Sequence, residues 1–437
     1  MTDGVADLLV RDTLIVPGGG ASPRTGWLAI AGTTILATGT DAPEPEARAV
    51  IDGRRHAVIP GLVNAHAHSH SSLTRGSAEG RTLDPWIAAI EREQAILTED
   101  DARVGAFATY AEALLSGTTA ILDMTLAPEV AAEAARAIGI RAVIAPYAAD
   151  TKPFAPSLAR TAALLESRDD SAGRVTVWVG LHDLESCTDA QIAEGVALAA
   201  AHGTGLHLHC SETAASVERT RARTGRTPVA HLAALGALGP KTALAHGVHV
   251  DAADRALLAE TGSGIVHCPH ANMKLGSGIA PVAAMLDDGV QVALGTDGAK
   301  ANNRLDPFDV MKFASLGAKG VARDASLLPP ASVLDMAGPA GARMLGLGTE
   351  RLEPGAPADL VMVRVDRLHM QPAEPATIEA NLVHAARGGD VDTVIVDGRV
   401  VVREGRLATL DEAAVLADLS RVGRALLARV DSAGAAA

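Results

Sequence analysis

Histidine and carboxylate side chains of the kind that bind divalent metal ions stand at the ends of several short apolar segments of this sequence. In His66-Ala-His68, the alternation of an extended strand points both imidazoles to the same side. Imidazole nitrogens together with a carboxylate suit zinc or another borderline divalent ion. An isolated His-x-His is more often structural, and an Asp after a strand often caps a helix. The metal-site hypothesis therefore depends on several such residues standing at strand ends together. The residues concerned are His66, His68, His209, Glu212, His246 and Asp297.

Eight short apolar segments, separated by Ala- and Leu-rich stretches with helical spacing, would position these side chains. Most segments are continuous apolar runs, as expected of parallel strands that are covered on both faces. Eight such units predict a (β/α)8 TIM barrel, in which chemistry lies at the carboxyl ends of the strands. An open doubly wound sheet would need a Gly-rich phosphate turn after its first strand, and the sequence has none. The predicted strands are Val58–Val63, Thr118–Met124, Arg141–Tyr147, Val175–His182, Gly205–Cys210, Thr242–Val248, Gly264–Pro269 and Val290–Asp297.

Both ends of the chain carry shorter strands of a different character. Asp397-Gly398 between two β-branched runs is a good hairpin signal. The simplest arrangement pairs the strands of both chain ends in one small β-sandwich domain beside the barrel. We expect residues 1–57 to be its N-terminal part, 58–354 the barrel, and 355–437 its C-terminal part plus a terminal helix.

The composition restricts the class of function. The 437 residues are 48% apolar and 21% charged, which fits a large globular protein. A net charge of −14 argues against nucleic-acid binding, which needs clustered Lys and Arg. No apolar run reaches the roughly 18 residues of a membrane span, and there is no signal-peptide pattern. Three widely spaced cysteines fit a reducing compartment, so we expect a cytoplasmic protein with a small-molecule partner and no membrane.

Five motifs together resemble the amidohydrolase superfamily. Pro60-Gly-Leu-Val-Asn-Ala-His66-Ala-His68 is similar to the first-strand signature of that superfamily. The other four resemble the branch that contains the chlorohydrolases, the triazine hydrolases and the S-adenosylhomocysteine and methylthioadenosine deaminases. They occur in order over nearly the whole chain. They are His209-Cys-Ser-Glu212-Thr, Ala245-His246-Gly-Val, His267-Cys-Pro-His-Ala-Asn-Met-Lys274-Leu-Gly-Ser-Gly and Gly295-Thr-Asp297-Gly.

The resemblance implies a hydrolase with one divalent metal ion. Zinc is the first choice and Fe²⁺ or Mn²⁺ the alternatives. Three neutral imidazoles and one carboxylate would leave the ion a net positive charge, which lowers the pKa of a bound water toward about 7. A two-metal site is disfavoured because no Lys stands at the end of the fourth strand to carry a bridging carbamate. The implied ligands are His66, His68, His209 and Asp297.

The resemblance also implies which residues handle protons. The metal-bound hydroxide would attack an electron-poor ring carbon while Glu212 protonates the neighbouring ring nitrogen. His246 would orient the hydroxide and stabilise developing charge, and Asp297 would take the proton of the water. The leaving group, most simply ammonia, would depart after protonation.

Four further residues are expected to contact the substrate. His182 ends the fourth strand, and Trp86 falls where the deaminases place an aromatic side chain, although a core role for it is equally compatible. Gln94 stands nearest the position of a Glu that recognises ribose in the adenosine-type deaminases. Lys300 replaces a small residue after Asp297, and either pairs with an anionic substrate group or serves a nearby carboxylate. These departures favour a substrate other than a nucleoside.

We therefore predict a hydrolytic deaminase of a small nitrogen heterocycle, such as an aminopurine, a pterin, a pyrimidine or a triazine-like compound. One alternative is a hydrolase that removes a halide, an alkylamine or a thioether, or that opens a cyclic amide. A more distant alternative is a non-catalytic metal-binding scaffold. The resemblance is also compatible with a homo-oligomer.

Overall fold

The computed structural model describes residues 5–40, 42–167 and 173–436 of the chain. Strands and helices alternate through its middle, and strands predominate at both ends. The strands are β1 (Ala6–Ile15), β2 (Arg24–Ala31), β3 (Thr34–Gly39), β4 (Ala47–Asp52), β5 (His56–Pro60), β6 (Leu62–Ala67), β7 (Thr118–Thr125), β8 (Arg141–Pro146), β9 (Val175–Val177), β10 (Val179–Gly180), β11 (Leu206–Cys210), β12 (Thr242–His246), β13 (Gly264–His267), β14 (Gln291–Leu294), β15 (Leu360–Arg364), β16 (Val391–Val396), β17 (Arg399–Arg403) and β18 (Arg406–Leu407).

The helices lie mainly between the strands of the middle part. They are α1 (Leu83–Gln94), α2 (Glu99–Leu115), α3 (Pro128–Ile138), α4 (Leu158–Ser167), α5 (Asp189–His202), α6 (Ala214–Thr224), α7 (Pro228–Ala234), α8 (Ala252–Thr261), α9 (Pro269–Lys274), α10 (Val282–Asp287), α11 (Ala299–Asn302), α12 (Pro307–Ala322), α13 (Pro330–Ala337), α14 (Pro339–Leu345), α15 (Ile378–His384) and α16 (Glu412–Ala436). Short 3-10 turns span Ser69–Thr74, Leu368–Met370 and Gly388–Asp390. Within the described ranges, none of the helices is long and apolar enough to cross a membrane.

Two parallel sheets lie at the centre of the molecule. β6, β7, β8 and β9 pair in chain order in one sheet, and β10 to β14 pair in chain order in the other. Nearly every residue of these strands is buried, which accounts for their continuous apolar sequences. Because all the strands of a parallel sheet end at the same edge, the polar residues that follow them are brought together.

Hydrogen bonds connect the two sheets at both of their edges. β9 and β10 are separated only by Trp178, and the Ala148 N–H, two residues after β8, donates to Gly180 O of β10 at 3.3 Å. At the other edge, Asn64 Nδ2 donates to Thr296 Oγ1 at 2.7 Å, and the Thr296 N–H donates to Asn64 Oδ1 at 2.9 Å. The first and last parallel strands are thus joined directly beside the histidine pair.

The predicted first strand, Val58–Val63, is wrong in its bounds. The apolar run is divided at Gly61: β5 pairs with β1 and β15 in the terminal sheet, and β6 pairs with β7 in the parallel sheet. A side chain at Gly61 would collide with Thr119, so the crossing between the sheets requires glycine. Hydrophobic pattern alone does not reveal this division because both halves are equally apolar and buried.

Strands from both chain ends pair in one nine-stranded sheet. Its order is β18-β17-β16-β15-β5-β1-β2-β3, with β4 paired to β1. An ion pair links it to the parallel strands, because Arg141 at the start of β8 donates to both carboxylate oxygens of Asp359 at 2.9 Å. The side chains of this pair are 10% and 0% exposed, so it is almost fully removed from water.

Replacing Arg141 is predicted to destabilise the protein strongly. Arg141→Met leaves the Asp359 carboxylate buried without its cation, which costs about 3–5 kcal/mol of unfolding free energy. The double variant Arg141→Met/Asp359→Asn should recover part of that loss because no unpaired charge remains. Urea denaturation measures both effects, and Arg421→Met, which removes an exposed ion pair of α16, is the control. Equal losses in the single and double variants would contradict this account.

Candidate metal centre and active site

Three histidines and one aspartate from three strand ends meet at the carboxyl edge of the parallel strands. His66 and His68 come from β6, His209 from β11, and Asp297 follows β14. The Nε2 atoms of His68 and His209 are 3.2 Å apart. Asp297 Oδ1 lies 3.6 Å from His66 Nε2 and 3.5 Å from His68 Nε2. The structure therefore brings together all four residues that were expected to bind the metal.

The orientation of two of these imidazoles is set by backbone carbonyls. His68 Nδ1 lies 2.7 Å from Met124 O, and His209 Nδ1 lies 2.7 Å from His182 O. A carbonyl oxygen only accepts, so each Nδ1 carries the hydrogen, and in the neutral ring that binds a metal each Nε2 then has its lone pair free. Two such lone pairs at 3.2 Å repel each other unless a cation or a proton lies between them.

A second histidine sets the orientation of His66. His207 Nδ1 donates to Ala243 O at 2.8 Å, which leaves His207 Nε2 as an acceptor. Burial lowers the pKa of His207 to about 3, so this ring is neutral. His66 Nδ1 therefore donates to His207 Nε2 at 2.8 Å, and His66 Nε2 has its lone pair free and no hydrogen-bond partner.

The donor set fits a divalent metal ion such as zinc. Metal ligands must be deprotonated, and burial lowers the pKa of His66 and His209 well below the ordinary value. Bonds of about 2.0–2.1 Å at tetrahedral angles place ligand atoms about 3.3 Å apart, close to the separations found here. The unpartnered Nε2 of buried His66 is the atom that most needs such a cation.

Three residues at this edge adopt left-handed backbone conformations. Ser211, His246 and Asp297 have φ angles of 51°, 78° and 60°. Non-glycine residues with positive φ are uncommon, and buried ones cluster at functional sites. The conformation of Asp297 is held by its backbone N–H, which donates to His66 O at 2.9 Å. The turns after three different strands are therefore bent toward the same point.

Glu212 and His246 lie beside the metal-ligand cluster. Glu212 Oε2 is 3.6 Å from His246 Nε2, and the two side chains are 11% and 1% exposed. Burial raises the pKa of Glu212 to about 7, although His246 opposes the rise. His246 Nδ1 donates to Asn272 Oδ1 at 2.9 Å, so His246 Nε2 faces the site. A carboxyl group that holds its proton near neutral pH is equipped to act as a general acid.

A cavity of about 430 Å³ opens onto these groups. Its wall combines apolar side chains with several charged ones. All four residues that were expected to contact the substrate lie in this wall. They are Trp86, Gln94, His182 and Lys300.

Three of these four are engaged with protein groups. Gln94 Nε2 lies 3.4 Å from His70 Nε2. His182 Nδ1 is 2.7 Å from Ser186 Oγ, and its ring stacks on Tyr147 with centroids 4.2 Å apart. Lys300 Nζ forms an ion pair with Glu93 Oε1 at 2.6 Å, and the Lys300 side chain is only 3% exposed. For Lys300, the contact matches the second of the two roles considered from sequence, a cation that serves a nearby carboxylate.

The molecule is similar to known proteins over nearly its full length. Residues 57–401 match the sequence profile of the Amidohydrolase family. The chain belongs to this family. It is 37% identical over 422 residues to the 5-methylthioadenosine/S-adenosylhomocysteine deaminase of Moorella thermoacetica, a match that covers 95% of this chain and 98% of the relative.

Two solved structures match the fold of this amidohydrolase closely. An adenosine deaminase from Xanthomonas campestris with bound zinc has a TM-score of 0.91 and 30% identity, over 98% of this chain and 99% of that one. The atrazine chlorohydrolase of Arthrobacter aurescens TC1, complexed with zinc, has a TM-score of 0.88 over 95% and 100% of the chains. At 22% identity, the second match shows the common fold.

These matches confirm the predicted family and branch of the amidohydrolase. They also confirm the prediction of a hydrolytic deaminase that acts on a nitrogen heterocycle. The family assignment sets aside the non-catalytic scaffold.

Several supporting residues of the amidohydrolase site were missed from sequence. Asp123 accepts hydrogen bonds from the Ser69 N–H at 2.9 Å and from Tyr110 OH at 2.7 Å, and so holds the segment after His68. His207, two residues before His209 on β11, sets the tautomer of His66. The signal in Asp123 was present, since it too lies near the end of a predicted strand. The local sequence around Asp123 and His207 does not indicate their partners, which come from distant parts of the chain.

Removing His207 is predicted to weaken metal binding by the amidohydrolase. In His207→Leu, His66 loses its hydrogen-bond partner and its fixed tautomer, so the affinity for zinc should fall roughly 10- to 100-fold. Competition with a chromophoric chelator measures this affinity. His202→Gln, an exposed histidine of α5, is the matched control. Unchanged affinity in His207→Leu would show that His207 does not set the tautomer of the ligand.

Glu212 is predicted to destabilise the metal-free amidohydrolase at alkaline pH. Its pKa is about 7 in the folded protein against 4.5 in a free chain, so folding opposes its ionisation. The cost appears as the pH rises above 4.5 and reaches about 3 kcal/mol above pH 7. Glu212→Gln should therefore be more stable than wild type at pH 8 and equal to it at pH 4.

Chemical denaturation in the presence of a chelator measures this difference. Glu194→Gln, an exposed glutamate of α5, is the control. A Glu212→Gln variant with the same stability as wild type at pH 8 would contradict the raised pKa.

Proposed function

We propose that this amidohydrolase holds one zinc ion and deaminates an aminopurine ring of a small nucleoside-like substrate. The observation that carries the proposal is the Glu212 carboxyl, whose pKa burial raises to about 7, beside His246 and a cluster of three imidazoles and one carboxylate. Such a site combines a place for a Lewis acid with a proton donor. Deamination needs both, because the ring nitrogen and the departing amine must each gain a proton.

Zinc is the proposed ion, and His66, His68, His209 and Asp297 are the proposed ligands. Both structurally similar proteins described above contain zinc. The unpartnered lone pair of His66 and the neutral state of the buried histidines support the same choice. A bound divalent ion supplies Lewis-acid chemistry that makes water a nucleophile near neutral pH.

The proton transfers are assigned to three side chains. Asp297 accepts the proton that the attacking water loses, and Glu212 donates its own proton to the ring nitrogen beside the attacked carbon. His246 Nε2, fixed through the bond of Nδ1 to Asn272, accepts a hydrogen bond from the water and orients it. The amino group then receives the proton that Asp297 took from the water and leaves as ammonia.

The substrate is proposed to be purine-like on three grounds. The Moorella thermoacetica relative is named for two adenosine derivatives, and the Xanthomonas campestris protein is an adenosine deaminase. The cavity of about 430 Å³ accommodates a bicyclic base with a substituent. These relatives weigh against the expectation of a substrate other than a nucleoside. Trp86, Gln94 and His182 are proposed to contact the substrate, and Lys300 to act through Glu93.

The proposed framework for this site is a (β/α)8 barrel with a two-layered β-sandwich beside it. The hydrogen bonds between Asn64 and Thr296 support closure of the barrel between β6 and β14. β1 pairs with β4 through its first half and with β5 through its second, which supports a sheet that folds over itself. The proposed boundaries are residues 57/58 and 354/355.

Ammonia release by the zinc-loaded protein tests the proposed function. The panel comprises 5′-methylthioadenosine, S-adenosylhomocysteine, adenosine, adenine, guanine, a pterin and an aminotriazine. We expect the adenosine derivatives to be the best substrates. Asp297→Ala should lower the rate by at least about 1000-fold, whereas Asp287→Ala, an exposed aspartate of α10, should not. Turnover of a compound of the panel without release of ammonia would replace deamination by loss of another group.

A further inference from the structure

Helix α1 forms one wall of the cavity, yet few of its side chains are buried. The buried residues of its twelve are Trp86, Glu93 and Gln94. Trp86 and Gln94 line the cavity. Glu93 does not, and instead forms the ion pair with Lys300. The side chain of Glu93, the third buried residue of α1, therefore holds the helix in place.

The carboxylate of Glu93 connects three segments that each carry residues of the site. Thr74 Oγ1, in the turn after His68, donates to both oxygens of Glu93 at 2.8 and 2.9 Å. Lys300 Nζ contacts the same carboxylate at 2.6 Å from α11, which begins two residues after Asp297. Glu93 thus links α1 to the segments that follow the first and last parallel strands.

α11 is itself positioned against the first of these segments. The Ala299 N–H donates to Ser71 Oγ at 2.7 Å, and Ser71 Oγ donates to His68 O at 2.7 Å. A side chain at Gly298 would collide with Ser71, so α11 and this turn approach each other as closely as glycine allows. The backbone from which Lys300 extends toward α1 is therefore held by hydrogen bonds to the turn after His68.

Other attachments of α1 are more exposed. Asp84 pairs with Arg219, and Glu91 pairs with Lys152, but these side chains are 59% and 44%, and 22% and 28%, exposed. Exposed ion pairs contribute little because water screens them. The Glu93–Lys300 side chains are 6% and 3% exposed, and removal of one partner would leave a buried charge uncompensated.

We propose that Glu93 and Lys300 are positioning residues that hold α1, and with it Trp86 and Gln94, in register with the metal ligands. The pair acts through the helix and does not contact the substrate. Its net charge is zero, so this wall presents no free cation to an anionic substituent. The inference rests on the proposed function in one respect only, which is the choice of the substrate for the kinetic measurements.

The test compares two buried ion pairs in the zinc-loaded protein. Lys300→Met, Glu93→Gln and the double variant address the proposed pair, and Arg141→Met, Asp359→Asn and their double variant are the matched control. The measurements are zinc content, kcat and KM for the best substrate, and hydrogen–deuterium exchange of the peptide that covers α1.

We expect the single variants Lys300→Met and Glu93→Gln to lose about 10- to 100-fold in kcat/KM, mainly through a higher KM, at unchanged zinc content. Exchange in α1 should accelerate without equal acceleration elsewhere. The double variant should recover part of the loss because neither charge is left alone. The control pair should lower stability and leave KM and the exchange of α1 unchanged.

Unchanged KM and unchanged α1 exchange in the Lys300 and Glu93 variants would overturn the inference. It would also fail if the control pair altered KM and α1 exchange to the same degree, because the effect would then be a general loss of stability. A wild-type protein that releases no ammonia refutes the proposed function instead. In that case the exchange of α1 still decides whether the pair positions the helix.

Discussion

The direction of the imidazole lone pairs is the constraint on which the site depends. Three Nε2 atoms point to one place only because each Nδ1–H has an acceptor on the opposite side of its ring. Those acceptors are Met124 O, His182 O and the ring of His207, which is itself held by a carbonyl of β12. The register of neighbouring parallel strands therefore sets the tautomers. A shift of one residue would move the two carbonyls away from their imidazoles and put Leu206 or Leu208 in the place of His207.

Burial of this cluster explains its electrostatics. The same loss of solvent lowers the pKa of His66 and His209 and raises the pKa of Glu212, because burial disfavours the charged form of each group. The left-handed conformations of Ser211, His246 and Asp297 add local strain. Burial of these groups and the backbone strain both lower the free energy of unfolding. They also place the ligands and the proton donor before the substrate binds. The surrounding hydrogen bonds, such as that between Asn64 and Thr296, offset the cost.

Residue type and spacing predicted much of the site and of the framework. His66, His68, His209 and Asp297 stood at the ends of predicted parallel strands, and strand ends meet at one edge whatever the loops between them. The bounds of the first strand could not be predicted from the sequence pattern. Val58–Val63 is one apolar run, and its division at Gly61 depends on the approach of Thr119, which lies far away in the sequence.

The sequence by itself determined which chemistry is available: the ligand types, their order along the chain, and a net charge of −14. Only the tertiary structure decided how those groups are used. The sequence gives a lysine at position 300 but not whether its ammonium group contacts a substrate anion or a protein carboxylate. The ion pair with Glu93 of α1 decides between the two. Likewise, His207 became a support for His66 because two strands pair in one register. Partner identity is a property of packing between distant segments, and local sequence does not encode it.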